Sequence, residues 1–200
     1  MKFVLGLTGQ TGAGKSSLHN VAEKHGFDVI DCDAVARYVS ERQEVLSALC
    51  LAFTNDILNS NGTLNRRALA AAAFADKEHT ALLNQTILPF ITAEIADLIE
   101  KSEKSRVLLD APTLFESGAD NLCNITVGVI AEIPVRQKRI IERDSLTEEE
   151  AAKRINAGKS DEFFKENCDY VLANNGEKNE FINNFEFLLK NILGGNCNAR

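Results

Sequence analysis

Short apolar runs of strand character alternate along the chain with longer stretches of helical periodicity. The runs fall at residues 3–7, 27–30, 107–109, 125–130 and 170–172, and they are largely apolar along their length, with Asp28 and Thr126 as polar exceptions. Strands buried on both faces read this way, and such strands separated by helices predict a parallel sheet covered on each side. Between the second and third runs, residues 34–104 form an Ala- and Leu-rich helical block broken by the turn signal Asn59-Ser60-Asn61-Gly62. That is far longer than an ordinary crossover. It is either a set of extra helices decorating the sheet or an inserted region for an acceptor substrate. After the fourth run, Pro134 suits the first turn of a helix running through Arg143. Thr147-Glu148-Glu149-Glu150 then has the form of a capping box, and Gly158 stands where that second helix could stop. This charged pair of helices reads as a movable flap. Disorder is expected only from Gly194 to Arg200.

Two hundred residues, 44% of them hydrophobic, suffice for one substantial core, so a single domain with insertions is expected. The formal net charge of −7 offers no basic field for a nucleic acid. A polyanion must therefore be held by a few aimed cations, and the partner is expected to be small. The N-terminal apolar run is too short for a signal sequence, and no later stretch is expected to span a membrane. Five cysteines (Cys32, Cys50, Cys123, Cys168 and Cys197) are odd in number and include no C-x-x-C pair. They predict neither a disulfide framework nor a zinc knuckle, and they fit a reducing cytoplasm.

Gly9-Gln10-Thr11-Gly12-Ala13-Gly14-Lys15-Ser16 fits G-x-x-x-x-G-K-[ST], and it follows a predicted strand and opens a predicted helix. The glycines let backbone N–H groups turn inward around phosphate oxygens, Lys15 would neutralise the β and γ phosphates, and Ser16 would ligate Mg²⁺. The following helix, with Leu18, Val21 and Ala22 on one face and Gly26 at its end, would add its dipole. ATP with Mg²⁺ is the expected ligand. A regulatory GTPase would carry D-x-x-G and N-K-x-D motifs, and neither occurs.

Acidic residues stand at two strand ends, where ligands bind in open α/β sheets. Asp110 ends the third run and could hold Mg²⁺ through water. Asp31 and Asp33 end the second, and they could supply a general base for an acceptor hydroxyl together with a metal partner. Asp33 could instead cap the helix that starts at Ala34. Arg139 and Arg143, four apart on one helix, and Arg154 on the next are either a solvated face or the cations that replace water around a transferring phosphoryl group.

Several segments, in order from residue 3 to about 190, resemble the dephospho-coenzyme A kinase family, P-loop kinases of the nucleoside monophosphate kinase-like group. The loop followed by Val29-Ile30-Asp31-Cys32-Asp33 and Arg37 is similar to the family's V-I-D-x-D strand end and its next Arg. Gly62-Thr63-Leu64-Asn65-Arg66-Arg67-Ala68-Leu69 resembles G-x-L-x-R-x-x-L, and Asp110 through Glu116 resembles D-x-P-L-L-F-E with Thr113 in place of the first Leu. Arg143-Asp144, Arg154-Ile155 and the stretch from Asp169 through Asn175 to Gly176 complete the likeness.

The resemblance implies a five-stranded P-loop core (about 1–33, 105–133 and 168–193), a helical acceptor-substrate insertion (about 34–104) and a helical lid (about 134–167). It implies that MgATP lies on Gly9, Gly12, Ala13, Gly14, Lys15, Ser16 and Ser17. Arg139, Arg143 and Arg154 would close over the phosphates, with Asn175 near the adenine. Dephospho-CoA would meet Asp31, Asp33, Arg37, Arg66, Pro112, Leu114 and Glu116. The implied reaction phosphorylates the ribose 3′-hydroxyl, with Asp33 as base and Lys15 and Arg143 assisting. Two positions depart from the family pattern. Leu88-Pro89 replaces His-Pro in the acceptor region, and Gly158 stands where the flap helix usually carries Gln. A kinase for another small nucleotide or metabolite, or a nucleotide-binding regulator without turnover, are the other readings. Oligomeric state is left open.

Overall fold

Five strands form in a computed structural model that describes residues 2–194: β1 (Phe3–Gly9), β2 (Phe27–Asp31), β3 (Arg106–Asp110), β4 (Ile125–Ile130) and β5 (Tyr170–Ala173). They make one sheet in the order β2-β3-β1-β4-β5, with parallel registers such as Leu5 beside both Leu108 and Ile125, and Val127 beside Tyr170. β1 and β3 outrun their apolar stretches because ladder pairing continues through Gly9 opposite Val129 and Asp110 opposite Leu7. Those polar extensions bring loop and carboxylate to one end of adjacent strands.

The helices are α1 (His19–Lys24), α2 (Cys32–Val39), α3 (Gln43–Phe53), α4 (Arg66–Ala73), α5 (Lys77–Lys101), α6 (Ile133–Asp144), α7 (Glu148–Asn156), α8 (Asp161–Asn167) and α9 (Lys178–Leu193). The chain divides into two compact units, one made of the segments up to Ile30 and from Ser102, the other of Asp31–Lys101. In the first, Leu5, Leu7, Val127 and Val129 of the sheet pack with Leu18, Val21 and Ala22 beyond the loop and with Phe181, Phe185 and Leu189 of α9. Full burial of each large side chain contributes about 1.5–3 kcal/mol, so this cluster holds the sheet to α1 and α9. Ile140, Ala151 and Ile155 form a smaller cluster that joins α6 to α7. Both halves of the capping box are present: Glu150 N donates to Thr147 Oγ1 at 3.3 Å, and Thr147 N donates to Glu150 Oε2 at 2.9 Å. The helix ends at Asn156, with Ala157 as its cap just ahead of Gly158.

In the second unit α5 packs against α2, α3 and α4, and Leu58 and Leu64 pair as an antiparallel bridge across the Asn59–Gly62 turn. The cap of α2 is Asp31, whose Oδ1 accepts from Ala34 N at 2.9 Å, while Asp33 lies inside the first turn. The alternative that Asp33 caps this helix is thereby corrected: the extended backbone at Asp31 is where the chain turns into the helix. The absence of any span-like stretch is also corrected. α5 is long and apolar enough to cross a membrane by length and composition, although a helix packed against others meets the same test. The expected disordered tail, Gly194 apart, and Cys197 lie outside the described residues.

Candidate active site

The loop leaves β1 at Gly9 and turns through Gly12 and Gly14, whose φ values of 79° and 92° favour glycine. Close approach restricts them further. A Cβ on Gly12 would stand 2.8 Å from Arg136 O, and one on Gly14 would stand 2.5 Å from Asn174 Nδ2. Beyond the loop the chain starts with a 3-10 turn, Lys15–Leu18, and only then enters the six-residue α1, so the helix is shorter than the pattern suggests. Ser17 Oγ turns back to Gly14 O at 2.7 Å, tightening that turn, and Ala13 is fully buried.

Two side chains from distant segments brace the loop, and one of the loop's own, Gln10, ties it outward. Asn174, 5% exposed, donates from Nδ2 to Ala13 O at 2.7 Å. Arg139 donates from Nη1 to Ala13 O at 3.3 Å and to Asn174 O at 3.1 Å, and from Nη2 to Asn174 Oδ1 at 3.3 Å. Gln10 accepts at Oε1 from Ala131 N at 3.1 Å and donates from Nε2 to Lys159 O and Asp161 Oδ1 at 3.2 and 2.8 Å.

A cavity of about 240 Å³ opens over the loop, lined by Gly9, Thr11, Gly12, Gly14, Lys15 and Ser16 together with Pro112, Arg139 and Arg143. At its floor the Lys15 ammonium pairs with the buried Asp110 carboxylate, whose Oδ2 lies 2.7 Å from His19 Nε2. Arg143 reaches the cavity while its guanidinium holds Asp144 at 2.8 and 2.9 Å, and Arg154 pairs with the same carboxylate from α7. Hydrogen bonding from Arg143, reinforced by the charges of Arg143 and Arg154, holds the Asp144 carboxyl below its ordinary value. Arg143 is raised by the same hydrogen bond. Arg154 does not line the loop cavity; it is tied to Arg143 through Asp144.

Leu114 is fully buried and meets Gly6 in the core, so it offers no surface to an acceptor; the expectation that it touches substrate is corrected. Asn175 is bound to Glu132, accepting from its N–H at 2.8 Å and donating to Oε1 at 3.2 Å. Its neighbour Asn174 is the residue on the loop, and the doubled asparagine after β5 was the only sequence signal for it. Gln10 and His19 carried no signal of their own. Glu116 Oε1 lies 3.4 Å from Lys159 Nζ.

In the second unit, Asp33 is exposed in the first turn of α2. Arg66 donates from Nη2 to Arg37 O and Glu41 Oε1 at 3.0 and 2.8 Å, and Arg37 Nη2 stands 3.9 Å from Asp31 Oδ2. Arg37, Arg66, Leu69 and Phe74 line a cavity of about 220 Å³. Leu88 and Pro89 border a wider, almost wholly apolar depression of about 650 Å³ on α5 that holds no charged group. No cluster of three or more metal-ligating side chains occurs among the described residues. The oxygens of Ser16 and Asp110 nevertheless fit Mg²⁺, which keeps several waters and takes its remaining ligands from substrate phosphates.

The sequence profile of the dephospho-CoA kinase family matches residues 3–180. A dephospho-CoA kinase from Fusobacterium nucleatum is 34% identical over 190 residues, covering 95% of this chain and 98% of its own. A crystal structure from Thermus thermophilus superposes with a TM-score of 0.81 at 28% identity, over 97% of each chain. The dephospho-CoA kinase from Campylobacter jejuni gives 0.70 at 25% identity, over 98% of this chain and 100% of that one. The parallel five-stranded sheet with flanking helices is the P-loop kinase fold.

Proposed function

The chain belongs to the dephospho-CoA kinase family, and we propose how its residues divide the work of that family's reaction, the ATP-dependent phosphorylation of the 3′-hydroxyl of dephospho-CoA that completes coenzyme A. ATP is the co-substrate. Its phosphate chain lies along Gly12–Ser17, with inward N–H groups on the bridging oxygens and Lys15 on the β and γ phosphates. Ser16 and Asp110 would hold Mg²⁺, which when bound neutralises charge on the phosphate oxygens. Arg143 faces the same cavity and compensates charge on the transferring group, while Arg154 orients it through Asp144. Asp31 is committed to the cap of α2, which leaves Asp33 as the carboxylate that accepts the 3′-hydroxyl proton. That oxygen then bonds to the γ phosphorus as the bond to the β–γ bridging oxygen breaks and ADP departs. Arg37 and Arg66, sharing one cavity in the second unit, receive the anionic groups of dephospho-CoA. The substrates are small molecules, and the enzyme works in the cytoplasm.

The observation that carries this assignment is the gathering of Lys15, Ser16, Arg139 and Arg143 around one loop cavity. Mass spectrometry of dephospho-CoA incubated with the protein and MgATP should detect the gain of one phosphate. Lys15→Ala should lose ATP affinity, and Asp33→Asn should lose transfer while keeping it. Equal loss of both in Asp33→Asn would make that residue structural. No phosphate gain by the intact protein with ATP binding preserved would favour an altered acceptor or a nucleotide-binding regulator without turnover.

A further inference from the structure

On α6, one turn before Arg139 and two before Arg143, Arg136 is the most buried charged residue among those described, at 5% exposure. Its Nε is sealed from solvent without a hydrogen-bond partner among them, and no carboxylate there lies within ion-pair distance of its guanidinium. Burial pulls its pKa down, and the charge of Asp161 only partly offsets this. Asp161 itself is engaged by Gln10 at 2.8 Å. An uncompensated buried cation costs stability, and buried polar groups ordinarily have partners.

Arg136 borders a second cavity, of about 390 Å³, with Gln10, Ile133, Lys159 and Asp161. It is separate from the loop cavity, which Arg136 does not line, yet Gln10 borders both. Two acids that border the cavity are held by other donors, Glu132 by Asn175 and Asp161 by Gln10. Glu162 also borders the cavity, and hydrogen bonding from its own backbone and from Ser160 holds its carboxyl below the ordinary value.

We propose that this cavity binds a small oxyanion, a carboxylate or a phosphate group, that supplies the missing partner of Arg136. With Nε sealed, the terminal Nη–Nη edge of the guanidinium is the one that can meet two oxygens of such a group, and a charge-assisted pair is about twice as strong as a neutral hydrogen bond. The site lies behind the phosphate loop: Arg136 O is the atom against which Gly12 is packed, and Gln10 links the cavity wall to the loop.

The test uses the full chain saturated with a non-hydrolysable ATP analogue and Mg²⁺, so that the loop is filled. Sodium phosphate and sodium acetate are titrated separately at constant ionic strength while the thermal midpoint is followed. A saturable rise with phosphate alone identifies a phosphate-bearing ligand, and a rise with acetate identifies a carboxylate. Arg136→Met should weaken apparent binding at least about tenfold, and without anion it should melt no lower than the parent, since an unpartnered buried charge has gone. Asp161→Asn keeps the acceptor for Gln10 while removing a negative charge from the rim, and it should tighten binding. The proposal is overturned by the absence of a saturable rise with either anion, by an equal rise in Arg136→Met, or by unchanged or weaker binding in Asp161→Asn.

Discussion

Replacing Asn174 tests whether a residue that does not line the loop cavity sets ATP affinity. Its amide donates to Ala13 O at 2.7 Å and accepts from Arg139 Nη2 at 3.3 Å, deep in the first unit. A neutral hydrogen bond contributes about 1 kcal/mol net and one to a charged group about 1.5–3, the lower end suiting the longer contact. Ala13 O keeps a second donor, Arg139 Nη1, so truncation orphans no carbonyl. Asn174→Ala should therefore cost about 2 kcal/mol in chemical denaturation. If the same energy must be recovered when ATP re-forms the loop, the KM for ATP rises up to about 30-fold, at 1.36 kcal/mol per tenfold. Asn174→Asp separates the two contacts. Its carboxylate keeps and strengthens the bond to Arg139 but turns an oxygen on Ala13 O, so stability should stay near the parent while the KM still rises. Initial rates at saturating dephospho-CoA measure this directly. A KM within twofold of the parent in both variants, with stability intact in Asn174→Ala, would refute the bracing role.

Thr147→Ala removes one half of the capping box and should lower stability by about 1 kcal/mol, read as a drop in the thermal midpoint; an unchanged midpoint would mean that α7 is held by its contacts with α6 alone. Cys168 has its thiol pushed up to about 12 by burial and by the neighbouring Asp169 charge. The thiolate fraction at pH 8 is then negligible, so iodoacetamide should label Cys168 far more slowly than an unperturbed thiol until unfolding releases it. Labelling of Cys168 in the native protein at the rate of a free cysteine would contradict that.

What the chain disclosed in sequence was whatever depends on neighbours within a few residues. The phosphate loop announces itself because turn, donor and cation fall within eight positions, and the capping box spans only Thr147 to Glu150. Where a choice lay between adjacent residues, tertiary geometry made it: Asp31 caps α2, and Asn174 faces the loop while Asn175 turns to Glu132. Leu114 sits in a motif that reads as substrate-facing, yet its apolar side chain is drawn into the core beside Gly6. Gln10 and Arg136 carried no local pattern at all. Their meaning comes from partners, or the want of them, across the sheet.

The bracing of the loop also sets a timetable for biosynthesis. The residues that give the loop its shape leave the ribosome 121, 126 and 161 positions after the loop residues they bind. At ~5–20 residues per second, the loop waits roughly 10–30 s for Asn174 after Ala13 has been made. A chain stalled before β5 would carry every residue of the phosphate-binding motif together with Arg139 and still lack the Asn174 bonds that complete its bracing, so nucleotide can act as a full folding ligand only once β5 has been made.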